Sequence, residues 1–274
     1  MAFRTDASTQ VRRVADIDVC FRAEGDGRPV VLVHGIGQDH RSWAPQLATT
    51  IPGYRLVAYD VRGHGRSTVG DGRGTLRQLT DDLIGFLEAV TGPAICVGFS
   101  LGGTIVLSAA AHRADLVRGV VAIATSSVVG KSAAPFYRDR IALVRRGDMS
   151  AIREMVRQDT VNKAAHRPDI DVDAQVRERM EAMADGRGYV NAAEAMLRMA
   201  SEPLQPLLGQ VRCPVAVVSG ERDQVCPRRA ADIMLEALPR ASFEEIPGVG
   251  HMMNVENPAA VTSVITRFLS EVEG

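Results

Sequence analysis

The chain has 274 residues, 46% of them hydrophobic, enough to bury one large domain or two small ones. Its 32 basic and 33 acidic residues leave a formal charge of −1 and are interspersed rather than blocked. That balance gives no electrostatic reason to expect nucleic acid or an anionic membrane as a partner, and no apolar run is long enough to cross a bilayer.

In chain order, the opening MAFRTDASTQVRRVADIDV lacks the apolar stretch of a secretory signal, which points to a cytoplasmic protein. Short apolar runs bounded by turn residues then recur at 30–33, 56–59, 94–98, 117–124, 215–219 and 243–246. Such runs read as buried strands of a mainly parallel sheet. Helical patterns separate them. Leu79, Leu83, Phe86, Leu87 and Val90 share one helical face, and residues 101–112 form an almost wholly apolar helix. Val261, Val264, Ile265, Phe268 and Leu269 form another stripe, behind Asn257 as N-cap and Pro258 at the first helical position. Alternation of this kind implies right-handed crossovers and an α/β domain.

The alternation stops near Ser126 and resumes near Arg212. Between them Ile141, Leu143, Val144, Met180 and Met183 recur at helical spacing, interrupted by polar stretches such as the one starting at Arg167. About four helices are expected here, inserted into the α/β domain. The division is a core of 1–126 and 206–274 with a helical cap at 127–205.

Cys20, Cys96, Cys213 and Cys226 include no C-x-x-C pair and read as free thiols. Neither H-E-x-x-H nor G-x-x-x-x-G-K-[ST] occurs, and the Gly35-Ile36-Gly37 and Gly63-His64-Gly65 turns lack the third glycine of a dinucleotide fingerprint. No metal or cofactor is expected. The partner is a small-molecule substrate.

The chemistry centres on VGFSLGG, residues 97–103. It places Ser100 at a sharp turn from strand to helix, with Gly98 and Gly102 supplying the small neighbours that a strained nucleophile turn requires. The following helix N-terminus brings amide N–H groups and a positive dipole end beside the hydroxyl. A base must come from His34, His40, His64, His112, His166 or His251. Chain order favours His251, in the loop between the last strand and the last helix. The acid should lie between the two, after another strand. Asp223 fits, with Glu221 as the second choice. The amides of Ile36 and Leu101 are the expected oxyanion donors.

At this point the chain resembles the α/β-hydrolase superfamily, on residues 34–37 (HGIG), 60–67 (DVRGHGRS), 98–103, 220–223 (GERD) and 250–251. The likeness spans about 30–125 and 210–270. It is nearest to the small serine hydrolases that include 3-oxoadipate enol-lactonases, esterases and cofactor-free haloperoxidase-like esterases. The resemblance implies a mostly parallel central sheet flanked by helices, an inserted helical cap, and cleavage of a small ester or lactone through an acyl-serine. A carbon–carbon bond hydrolase and a receptor-like hydrolase with little turnover are the alternatives. Trp43, Phe99 and Met252 are candidate substrate-binding residues. Met149, Met180, Met183, Met196, Met199 and Met253 are further candidates for the lining, and Arg145, Arg146, Arg177 and Arg198 for holding a substrate carboxylate.

Overall fold

The computed structural model describes residues 9–164, 170–238 and 240–273; His166 and the first three residues of the polar stretch from Arg167 lie outside them. Among the described residues eight strands form one sheet: β1 (Thr9–Val14), β2 (Ile17–Gly25), β3 (Arg28–Val33), β4 (Tyr54–Tyr59), β5 (Ala94–Phe99), β6 (Val117–Ile123), β7 (Val215–Gly220) and β8 (Ala241–Ile246). Their spatial order is β1-β2-β4-β3-β5-β6-β7-β8. Strands β3 to β8 are parallel, and β2 runs antiparallel to both β1 and β4.

The runs at 30–33, 56–59, 94–98, 117–124 and 215–219 are β3 to β7, and the residues at 243–246 lie in β8, an edge strand buried only at Ile246. A parallel strand buried on both faces needs apolar side chains at every position, so it reads as a continuous run. The β1–β2 hairpin leaves no such mark. In Thr9–Val14 only the last residue is buried, as expected of an edge strand that faces water.

Helices α1 (Ala44–Leu47), α2 (Leu76–Phe86), α3 (Leu101–His112), α8 (Arg228–Ala237), α9 (Met253–Glu256) and α10 (Pro258–Glu273) belong to the sheet layer. Along β3 the side chains alternate. Val31 and Val33 pack with Leu83, Ile105 and Met234 beneath α2, α3 and α8. Val30 and Leu32 pack with Trp43, Ile265 and Phe268 beneath α1 and α10. Helix starts follow local chemistry: Thr75 Oγ1 accepts the Gln78 N–H at 3.2 Å to open α2, and Asn257 Oδ1 accepts the Ala260 N–H at 3.1 Å ahead of Pro258.

Helices α4 (Ala134–Arg146), α5 (Met149–Lys163), α6 (Val172–Met183) and α7 (Arg187–Arg198) leave the sheet after β6 and return to it at β7. They have their own apolar cluster, with Ile141, Val144, Ile152, Val156, Val176, Met183 and Tyr189. The α6–α7 side is stitched to the core. The Gly65 N–H donates to Ala182 O at 2.7 Å, the Gly74 N–H to Asn191 Oδ1 at 2.7 Å, and Arg41 pairs with Glu181 at 2.6 Å. Backbones touch at Gly63 and Gly188, where a Cβ on Gly188 would sit 2.0 Å from the Gly63 carbonyl oxygen.

One buried ion cluster stabilises the turn after β4. Arg62, 2% exposed, grips Asp82 through Nε and Nη2 at 2.7 and 2.6 Å and Asp16 through Nη1 and Nη2 at 3.0 and 2.7 Å. Its Nη1 also donates to Val69 O at 2.8 Å. Every donor direction of the guanidinium is used.

Candidate active site

After β3 the chain continues to β4 on one side of β3, while β5 lies on the other. A crevice opens at the carboxyl ends of strands where the winding reverses in this way, so the loops after β3 and β5 are brought side by side. Ser100 stands in that crevice with φ 53° and ψ −117°, a conformation that costs energy in a residue with a Cβ. It is held there by its own N–H, donating to Ile123 O at 2.8 Å, and by Thr125 Oγ1, donating to its carbonyl at 2.6 Å. A Cβ on Gly98 would lie 2.3 Å from Gly102 O, so the turn closes only with glycine there. A serine ahead of a helix usually caps it with its hydroxyl. Ser100 does not cap α3, and its Oγ instead lies 3.2 Å from His251 Nε2.

His251 arrives on the loop after β8, where the Gly250 N–H donates to Glu256 Oε2 at 2.8 Å. Its Nδ1 donates to Asp223 Oδ2 at 2.9 Å. Nε2 is then the free acceptor for the serine proton. Asp223, on the loop after β7, also accepts the Val225 and Cys226 amides on Oδ1 at 2.8 and 2.9 Å. Burial pushes its carboxyl up, but the charge and hydrogen bond of His251, with the two amides, outweigh this and hold it below the ordinary carboxylate range. Glu221, the second choice, is exposed and binds the Gly248 N–H at 2.6 Å on the rim of the loop.

The other core histidines serve as struts. His34 accepts the Val61 N–H on Nε2 at 2.9 Å and donates from Nδ1 to Gly35 O at 2.8 Å, joining the loops after β3 and β4. Burial pushes it below its ordinary value, as it pushes His64 down to about 3. His40 pairs with buried Asp60 at 2.7 Å.

Ser100 and His251 face a cavity of about 20 Å³ lined by Ile36, Gln38, Phe99, Met252, Lys163 and Arg179. The candidate contacts Phe99 and Met252 are therefore at the site, and the Phe99 ring lies 5.3 Å from that of His251. Trp43 is not. The 3₁₀ turn His40–Trp43 carries it into the core beneath α1 and α10, fully buried. Nearness in sequence to the loop after β3 is a poor guide here because the chain reverses in between.

Of the other methionines, Met183 packs inside the cap, Met196 and Met199 join the core under α2 and α3, Met253 joins the opposite face, and Met149 is 56% exposed. Arg145, Arg146, Arg177 and Arg198 are all exposed on cap helices. The cations that face Ser100 are instead Lys163 and Arg179. Arg179 sits on the buried stripe of α6 with Val176, Ala182 and Met183. A charge on an apolar stripe is the signal that points to it from sequence.

Among the described residues two groups of side chains have metal-ligand chemistry, Asp223 with Cys226 and His251, and Asp39 with His40 and Asp60. Their carboxylates and imidazoles are committed to hydrogen bonds, Asp223 with His251, Asp60 with His40 and the His40 and Arg66 amides, and Asp39 with Arg41.

A mostly parallel sheet with a strained serine at the β5–α3 turn, an inserted helical layer and a histidine after β8 defines an α/β hydrolase, and the chain belongs to the α/β hydrolase family, whose model matches residues 30–264. It is 26% identical over 249 residues to 3-oxoadipate enol-lactonase 1 of Acinetobacter baylyi, covering 89% of each chain. It is 28% identical over 264 residues to 2-(acetamidomethylene)succinate hydrolase of Mesorhizobium japonicum, covering 93% of each. The enol-lactonase structure from Burkholderia xenovorans superposes with a TM-score of 0.83 at 25% identity, over 95% of this chain and all of that one. No helix of the described residues is long and apolar enough to cross a membrane.

Proposed function

We propose that the protein hydrolyses a small carboxylic ester or lactone through an acyl-serine. One observation carries the reading: a continuous hydrogen-bond chain, Ser100 Oγ to His251 Nε2 at 3.2 Å and His251 Nδ1 to Asp223 Oδ2 at 2.9 Å, beginning at a serine freed from capping its helix. The likeness to enol-lactonases of Acinetobacter and Burkholderia supports the lactone half of it.

In this mechanism His251 Nε2 takes the hydroxyl proton as Ser100 Oγ bonds to the carbonyl carbon. Asp223 keeps the imidazole in the right tautomer and stabilises its cation. The amides of Ile36 and Leu101 receive the tetrahedral oxyanion. Ile36 lines the cavity, and Leu101 opens α3, where a first-turn N–H lacks an acceptor within the helix. The proton then passes from His251 to the leaving oxygen as its bond to carbon breaks. Water attacks the acyl-serine by the same route, and Ser100 recovers its proton. In a lactone the leaving oxygen stays tethered, so a single hydroxy or oxo acid departs.

Replacing Ser100 with alanine should abolish turnover of a p-nitrophenyl ester and leave thermal unfolding unchanged. Undiminished turnover in that variant, or a single turnover followed by arrest in the wild type, would overturn the reading.

A further inference from the structure

Three cations crowd the roof of the site around one carboxylate. Arg140 and Lys163 both bind Asp159, Lys163 at 3.5 Å, and the Arg140 guanidinium also lies 3.4 Å over the Phe136 ring. Arg179 is 5% exposed and, among the described residues, makes no ion pair. Its Nη1 donates to Thr160 Oγ1 at 2.9 Å and Val156 O at 3.4 Å, and its Nε has no partner. Burial pushes both Arg179 and Lys163 below their ordinary values, with Asp159 opposing it and the neighbouring cations adding to it. An unpaired buried guanidinium is expensive, and the folded chain gains nothing visible from it.

The unpaired Arg179 and the Asp159-bound Lys163 line the same small cavity as Ser100 and His251. Arg179 and Gln38 also line a groove of about 250 Å³ that runs outward between the cap and the core past Ser42, Gln175 and Asn254. A ligand entering along that groove meets Arg179 before it reaches the serine.

We propose that Arg179 and Lys163 form a carboxylate subsite, so that the substrate is an ester or lactone bearing a free carboxylate a few carbons from the scissile carbonyl. This deepens the serine-hydrolase reading and rests on it. The ligand carboxylate supplies the acceptor that Asp159 cannot. The planar Arg179 fork takes two oxygens, and the Lys163 ammonium adds a point charge. Because Arg179, Lys163 and Ser100 line one cavity, the spacer is a short chain. Neutral esters of the same length leave Arg179 unpaired and Lys163 with Asp159 alone.

The test compares methyl hydrogen adipate with dimethyl adipate, and the glutarate pair likewise, by kcat/KM. The wild type should favour the acid esters by about tenfold or more, the scale of a charge-assisted contact. Arg179→Met should erase most of that preference, chiefly through KM, and Lys163→Gln part of it. Arg179→Lys should restore some of it, and the exposed neighbour change Arg177→Met should leave it intact. A second arm does not need turnover. Calorimetry should show glutarate binding to Ser100→Ala, weakening with salt, and about tenfold weaker or lost in Ser100→Ala combined with Arg179→Met. Equal or better use of the diesters by the wild type, or a preference that survives Arg179→Met, overturns the subsite. Glutarate binding that Arg179→Met abolishes, in a protein that hydrolyses none of the esters, would instead keep the subsite and sink the serine-hydrolase reading.

Discussion

Two buried arginines show opposite uses of the same side chain. Arg62, in the core, is surrounded by Asp16, Asp82 and the Val69 carbonyl, with every N–H direction occupied. Arg179, in the cap, donates hydrogen bonds only to Thr160 and Val156 and leaves Nε bare among the described residues. The partners of Arg62 come from the β1–β2 turn and α2, so it holds distant segments of the core together. Arg179 lines the same cavity as Ser100. A satisfied buried charge belongs to the fold, and an unsatisfied one beside a nucleophile is reserved for a ligand.

The contrast predicts that stability and turnover separate residue by residue. The largest effect is on chemistry alone. Asp223→Asn should cut kcat/KM by about 10⁴-fold, as loss of the orienting carboxylate does in serine triads, with the unfolding midpoint nearly unmoved. Arg62→Met should do the reverse. It strands Asp82, already pushed up by burial, and should cost about 3–5 kcal/mol in urea unfolding while folded molecules keep their turnover. Arg179→Met replaces an unpaired charge with an apolar chain of similar length. Thr160 Oγ1 already donates to Val156 O at 2.7 Å, so little is stranded, and stability should be unchanged or rise by about 1–4 kcal/mol. A comparable loss in both arginine variants would erase the distinction.

The smallest effect concerns the buried Asp60–His40 pair, which belongs with Arg62 as a satisfied charge. Burial pushes Asp60 up, but the His40 hydrogen bond and charge, with His34 and the Arg66 amide, outweigh it and lower its pKa from the ordinary 3.8. Burial lowers His40, and Asp60 more than offsets this and raises it from 6.5. The depressed carboxyl adds stability above 3.8 and loses it as pH falls through its native value. The raised imidazole adds stability below 6.5 and loses it as pH rises through its native value. The stability gap between wild type and Asp60→Asn should therefore be widest between pH 3.8 and 6.5 and shrink on both sides. Unfolding titrations across that range check it, and a gap that keeps widening above 6.5 contradicts the pairing.

The legible parts of the molecule were those that geometry leaves no choice about. Central parallel strands are apolar along their buried stretches, so β3 to β7 stand out, while β8 at the other edge carries Glu244 and Glu245. The turn at Ser100 must be flanked by residues without Cβ, so its glycines announce it. The β1–β2 hairpin stays hidden because an edge strand is free to be polar. Arg179 stays hidden because the identity of a helix's inward face depends on what the helix packs against. Its position between Val176 and Met183 is a clue only once α6 is known to cover a site. Trp43 shows the opposite hazard. A large aromatic a few residues past an active loop is drawn into the core as soon as the chain turns.

The contact between Gly63 and Gly188 fixes how high the helical layer rides above the nucleophile. A graft of a foreign lid onto this sheet, or an inserted side chain at either glycine, would wedge the two backbones apart and move Arg179 away from the cavity it shares with Ser100. Substrate preference in this scaffold is therefore tunable from a seam that no substrate touches, by spacing alone.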